Sequence, residues 1–215
     1  MSYYHAPYIE KINHYIVEEI KSARRYIKRI NKSKKIDDCK FTILDKHKNY
    51  NTDENYHCWL NEGHDVALMS EAGTPCIADP GHTIVWWAQQ NNIKVIPLTG
   101  FSSILMALMA SGLNGQNFSF NGYLPITIEE RTSKLQYIIT QIIKTGYTQI
   151  FIETPHRNNS ILEFFSKNLP KNFLLTIAQD ISGFHEYIKT KSINDWNSNK
   201  ITLEKLPTIY IIGKK

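Results

Sequence analysis

Between two apolar segments runs Ser70-Glu-Ala-Gly-Thr-Pro-Cys-Ile-Ala-Asp-Pro-Gly81, a stretch with two acids, two glycines and two prolines. It suits neither helix nor strand, but it suits a backbone that must come close to a ligand. Gly73 and Ala72 permit that approach, Ser70, Glu71 and Thr74 supply polar groups, and Pro75 and Pro80 stiffen the path. A second small-residue stretch, Pro97-Leu-Thr-Gly-Phe-Ser-Ser103, also stands before a helix. Further on, Glu153-Thr-Pro-His-Arg157 brings a carboxylate, an imidazole and a guanidinium within five residues, a set fit for proton transfer and for a substrate phosphate. The same residues also fit an ordinary helix-starting turn. The chain has no G-x-x-x-x-G-K-[ST] and no G-x-G-x-x-G, so neither fingerprint of a nucleotide site is present.

Around these loops the chain alternates. An extended segment at His14 to Val17 leads to a helix on which Ile20, Ala23, Ile27 and Ile30 recur at helical spacing. That helix places Lys21, Arg24, Arg25, Lys28 and Lys32 mostly on its wet side. Strands are expected at Phe41 to Leu44, Asp65 to Met69 and Lys94 to Pro97, with helices at Asn55 to Glu62, His82 to Asn91 and Ser102 to Ser111. Alternation of this kind predicts parallel strands joined by crossover helices. In such sheets ligands sit beyond the carboxyl ends of strands, where the Ser70 to Gly81 loop begins. The polar, flexible Gly112 to Asn117 suggests a boundary, giving domains 1–114 and 115–215. The second half predicts strands at Phe118 to Leu124, Gln149 to Ile152, Phe173 to Ala178 and Thr208 to Ile212. Helices are expected at Ser133 to Lys144 and Asn159 to Lys167, and Ser192 and Asp195 have the spacing of a capping box.

Composition narrows the class. The chain is 42% apolar and 21% charged, and its longest apolar runs are too short for a bilayer, so a soluble globular protein without a membrane partner is expected. Nothing resembles an export signal, and a cytoplasmic location is expected. Cys39, Cys58 and Cys76 are too scattered for a zinc site, so no metal is expected. Lys and Arg exceed Asp and Glu by five, which is compatible with a polyanionic partner but does not demand one.

Taken together, "SEAGTPCIADPG", "IPLTGFSS", "ASGL", "GYLP" and "FIETPHR" resemble, in order and spacing, the small-subunit ribosomal RNA methyltransferase I family of the tetrapyrrole methylase superfamily. The resemblance implies two α/β domains of the tetrapyrrole methylase type with the cofactor cleft between them, and a homodimer. It also implies S-adenosylmethionine-dependent methylation of a cytidine ribose 2′-hydroxyl in 16S ribosomal RNA or the small ribosomal subunit. Carried over motif by motif, Glu71, Ala72, Gly73, Thr74 and Ile77 would line the methionine and ribose side of the cofactor. Ser102, Ser103 and Ile104 would close the floor, and Glu153, Pro207 and Thr208 would reach the adenine side. Arg24, Arg25, His156 and Arg157 would meet RNA. Glu18, Glu153, His156 and Glu186 could each take the ribose proton, and the sequence singles out none of them. A small-molecule methyltransferase of the same superfamily and a non-catalytic RNA-binding homologue are the alternatives.

Two departures matter. Glu71 stands where many members carry Asp, and the chain opens "MSYYHAPYIE" where members have an apolar strand and a Pro/Gly loop. The expectation is that Tyr3 to Ile12 packs as a short helix or irregular cover in place of that strand.

Overall fold

The computed structural model describes residues 3–44, 54–71, 73–98 and 100–214, which form two compact units, Met1–Phe101 and Ser102–Lys215. In the first, three short strands, β1 (His14–Val17), β2 (Lys40–Ile43) and β3 (Val66–Met69), pair in the order β2-β1-β3. Both pairings are parallel, as alternation predicts. Helix α1 (Ala6–Lys11) follows a 3-10 turn at Tyr3–His5, and α2 (Ile20–Ile30) follows β1. Helices α3 (Glu54–Asn61) and α4 (His82–Gln90) flank β3 in the chain.

Central strand β1 is buried along its whole length. Tyr15 and Val17 pack with Ile9 of α1 and with Ala23 and Ile27 of α2, whereas Ile16 turns to the opposite face, toward Tyr56 and Ile84. The expected helix before β1 is therefore present, and it lies on the α2 side of the sheet. Lys34 anchors it: the buried ammonium donates to the carbonyls of Glu10 and Ile12 and to Asn13 Oδ1, at 3.0, 2.8 and 2.6 Å. Glu19 caps α2 by accepting from the Lys21 and Ser22 amides, and those bonds hold its carboxyl below the usual range.

One expectation fails here. Residues 94–97 form no strand, and Val95 and Ile96 are exposed. Strand propensity needs a ladder partner, and among the described residues this segment finds none. Helix α5 (Ser103–Ser111) packs in the second unit, so the units divide ahead of the Gly112 to Asn117 stretch.

The second unit carries a five-stranded sheet of order β4-β5-β8-β6-β7, comprising β4 (Phe118–Phe120), β5 (Thr148–Glu153), β6 (Leu174–Gln179), β7 (Tyr187–Ser192) and β8 (Thr208–Gly213). Only β4 and β5 pair in parallel, and the other pairings of this sheet are antiparallel. β6 and β7 are joined by a loop too short for a crossover, so they run antiparallel, and β8 enters between β5 and β6 antiparallel to both. Helix α5 covers one face, with Ile104, Ala107 and Leu108 on Ile150, Ala178, Ile209 and Ile211. On the other face α6 (Ile128–Thr145), α7 (Asn158–Asn168) and α8 (Ile193–Ser198) bury Phe151, Leu175, Ile177, Tyr210 and Ile212. The Ser192 hydroxyl caps α8 by accepting from the Asp195 amide at 3.0 Å.

His14 opens β1 in a confined setting, stacked on His64 at 4.3 Å between ring centres and tilted against Trp59 at 4.9 Å. Burial lowers its pKa, nearby His64 and Lys40 lower it further, and Glu62 opposes them. The folded imidazole thus resists a proton that the unfolded chain accepts near pH 6.5, so stability should fall as the pH drops through that value. Urea unfolding from pH 7.5 to pH 5 should show a falling midpoint in the wild type and a flatter profile in His14→Phe. Equal slopes would remove His14 from the account.

Candidate functional site

The first group of site residues sits at the carboxyl ends of β1 and β3. Val17 and Met69 are register partners, so Glu18 and Ser70 leave the sheet from neighbouring strand ends. Between Ser70 and α4 the backbone takes positive φ at Gly73 (+78°), Cys76 (+70°), Ala78 (+62°) and Gly81 (+124°). For a residue with a side chain this costs about 1–3 kcal/mol, and such strain collects at ligand clamps. The loop is held by Ile77 N–H donating to the Thr74 carbonyl at 3.1 Å and Cys76 N–H to the Pro80 carbonyl at 3.4 Å. At Gly81 a side chain would be strained by the φ of +124°, and its Cβ would displace Leu68 Cδ2, 2.7 Å away.

The outer face of this loop differs. Glu71, Gly73 and Ile77 are exposed, and a Cβ on Gly73 would have only Asp79 Oδ2 near it, at 3.7 Å. Gly100 lies close by, since its Cβ would be 4.0 Å from Thr74 Cγ2, so the two small-residue loops adjoin. Burial, with Asp79 adding to it, pushes the Cys76 thiol up, which keeps it protonated. Ala72 lies outside the described residues. Ser102 and Ser103 begin α5 in the second unit, where Ser103 is exposed and the Ile104 side chain is buried in the sheet core.

The second group is a row across the five-stranded sheet. Glu153 ends β5 opposite Thr208, which begins β8, and Thr208 in turn faces Gln179, which ends β6. All three are buried polar residues. Glu153 accepts from the Thr154 amide at 2.8 Å and pairs with Arg157 at 3.3 Å. That guanidinium also donates to the carbonyls of Leu124 and Pro125, at 3.2 and 3.1 Å. Arg131 grips the same turn through the Pro125 and Ile126 carbonyls. The "GYLP" and "ETPHR" motifs are therefore one construction, in which Arg157 serves as an internal tie while neighbouring His156 is exposed.

Asn158, Asn159 and Gln179 were not foreseen. Asn158 Nδ2 donates to the Glu204 and Leu206 carbonyls, and Asn159 exchanges bonds in both directions with Leu203. Gln179 Nε2 reaches the Glu204 carbonyl and Thr208 Oγ1. Burial, with Glu153 adding to it, raises the Tyr210 phenol, so it stays protonated and donates to the Asn158 carbonyl at 2.9 Å. Together these bonds fix residues 203–208, and the paired asparagines after "TPHR" were the available signal.

The remaining expected residues fall elsewhere. Glu186 accepts from the Ser182 amide at 2.6 Å, in the loop between β6 and β7. Arg24 pairs with Asp37 at 3.2 Å on the surface of α2, and Arg25 is exposed beside it. Pro207 is exposed and Thr208 buried. No three His, Cys, Asp or Glu gather as metal ligands among the described residues, and no helix there is long and apolar enough to cross a membrane.

Comparison with known proteins places the chain. Proteins called ribosomal RNA small subunit methyltransferase I match it from Vibrio cholerae (45% identity over 98 residues, 46% of this chain and 33% of that one). The same name belongs to matches from Haemophilus influenzae (34%, covering 64% and 48%) and Buchnera aphidicola (35%, covering 71% and 53%). The matched part of this chain spans about a third to a half of these curated relatives. The methyltransferase CobJ shares the fold, with a TM-score of 0.60 at 14% identity over 97% of this chain and 85% of that one. The pattern of the tetrapyrrole (corrin/porphyrin) methylases matches residues 12–195, and the chain belongs to that family.

Proposed function

We propose that the protein is a methyltransferase that uses S-adenosylmethionine to methylate the 2′-hydroxyl of a cytidine ribose in small-subunit ribosomal RNA, acting as a homodimer. The observation that carries this reading is the name shared by the relatives, ribosomal RNA small subunit methyltransferase I, with identity reaching 45%. The local structure fits the cofactor: Gly73 is exposed, and in the sequence small residues flank it. When bound, S-adenosylmethionine supplies a methyl group already attached to a good leaving group.

The chain's own residues then have limited tasks. The Glu71 to Ile77 loop holds the cofactor through backbone groups and the Thr74 hydroxyl. Pre-set positive φ values keep this loop in one shape, so little ordering is needed on binding. A ribose hydroxyl is a weak nucleophile and needs a group to share its proton. Glu153 and Glu186 already accept protein hydrogen bonds. His156, exposed on the turn after β5, is the acceptor we assign, with Glu18 at the end of β1 as the alternative.

Incubation with labelled S-adenosylmethionine and small ribosomal subunits should place label on one cytidine, and the backbone there should resist alkaline cleavage because its 2′-oxygen is methylated. Label on a base atom would reject the ribose assignment. Label on a tetrapyrrole, with none on RNA, would favour the small-molecule alternative.

The exposed face of α2 supplies phosphate contacts in this reading, whereas Arg157 is held inside its unit. Replacing Arg24 and Arg25 with Ala should reduce the slope of log affinity against log salt by roughly 0.7 per lost contact on single-stranded RNA. S-adenosylmethionine affinity should stay as in the wild type. An unchanged salt slope would make α2 an ordinary solvated surface.

A further inference from the structure

The loop between β6 and β7, residues 180–186, carries Phe184 fully exposed to solvent. A single exposed aromatic is ordinary, and it is the construction beneath this one that sets it apart. Both acids of the loop turn back into it: Asp180 Oδ2 accepts from the His185 amide at 2.9 Å, and Glu186 Oε2 accepts from the Ser182 amide at 2.6 Å. The Gly183 amide closes the turn on the Asp180 carbonyl at 2.7 Å. Asp180 and Ser182 hold positive φ, at +50° and +64°, although neither is glycine. Gly183 cannot be replaced without disturbance, because a Cβ there would overlap the Asp180 carboxylate. Polar bonds and backbone strain are thus used to hold an apolar ring out in water.

The loop is also tied to the row of strand ends described above. The Asp180 amide donates to the Pro207 carbonyl at 2.9 Å, and the preceding Gln179 pairs with Thr208, which pairs with Glu153. The loop that carries Phe184 therefore stands at the same strand-end side of the sheet as Thr208 and the His156 turn. The imidazole of His185 is exposed beside Phe184, while both loop carboxylates are engaged by amides of the loop itself. A rigid flat ring with an adjacent hydrogen-bonding imidazole matches what an unpaired nucleotide requires, stacking for the base and a donor for its phosphate.

We propose that Phe184 is a stacking platform for an unpaired RNA base, presented by the braced 180–186 loop on the strand-end rim that holds Thr208. This assignment rests on the reading of the protein as an RNA methyltransferase and adds a substrate contact to it. It also requires that the substrate be single-stranded where it meets the loop.

The test is fluorescence anisotropy with the intact protein, using a labelled single-stranded RNA 12-mer and the same sequence as a duplex. Phe184→Ala should weaken binding of the single strand by roughly 5- to 100-fold, the range expected for one lost base–aromatic stack. Duplex binding should hardly change. Phe184→Trp should retain single-strand affinity, and Gly183→Ala, which keeps the ring but displaces its brace, should lose part of it. Wild-type affinity in Phe184→Ala would overturn the proposal while leaving the methyltransferase reading intact. A wild type that methylates ribosomal subunits, with a Phe184→Ala protein that sediments as a smaller species, would make the ring a contact between two copies and also overturn it. A wild type that binds neither RNA would remove both the stacking platform and the RNA reading.

Discussion

The backbone entering α4 has to take a φ of +124° at Gly81, packed against Leu68 and Cys76. Only glycine adopts that conformation readily, and this constraint fixes the far end of the loop that begins at β3. Because the chain is pinned there at one end and by β3 at the other, the residues between them are forced into tight alternating turns. Cys76 and Ala78 take up part of the strain, and Gly73 is left exposed. A loop of this shape can hold a ligand with backbone groups, without long side chains and without reorganising. Its tolerance to substitution should therefore be lowest where its residues touch least.

The second unit solves a similar problem by different means. Its strand ends are fixed by side chains reaching to carbonyls: Arg157 and Arg131 on residues 124–126, and Asn158, Asn159 and Gln179 on residues 203–206. Each of these donors satisfies acceptors that would otherwise stand unpaired in irregular backbone, where a lost partner costs about 1–3 kcal/mol. Arg157 shares one nitrogen, Nη2, between the Glu153 carboxylate and the Leu124 and Pro125 carbonyls.

Much of the first unit was legible because its signals are local. The apolar stripe of Ile20, Ala23, Ile27 and Ile30 marks α2, and short apolar runs mark β1, β2 and β3. The capping role of Ser192 also followed from spacing alone. What escaped depends on distant partners. Residues 94–97 have strand character without a ladder, and Tyr187 to Ser192 becomes β7 because β6 lies beside it. The mixed direction of the second sheet follows from β8 entering between β5 and β6, which no local pattern announces. At the site, motif spacing located the loops, but the bonds that shape them join residues as far apart as Asn158 and Leu206.

The central claim is that the strained loop after β3 holds the methyl donor, and calorimetric titration with S-adenosylmethionine tests it most directly. The wild type should bind, and a folded Gly73→Val protein should bind at least tenfold more weakly, since a β-branched residue resists positive φ and its side chain would stand on the exposed side of the loop. A folded Gly73→Val protein with wild-type affinity would contradict the placement, and a wild type that takes up no S-adenosylmethionine would contradict the account as a whole.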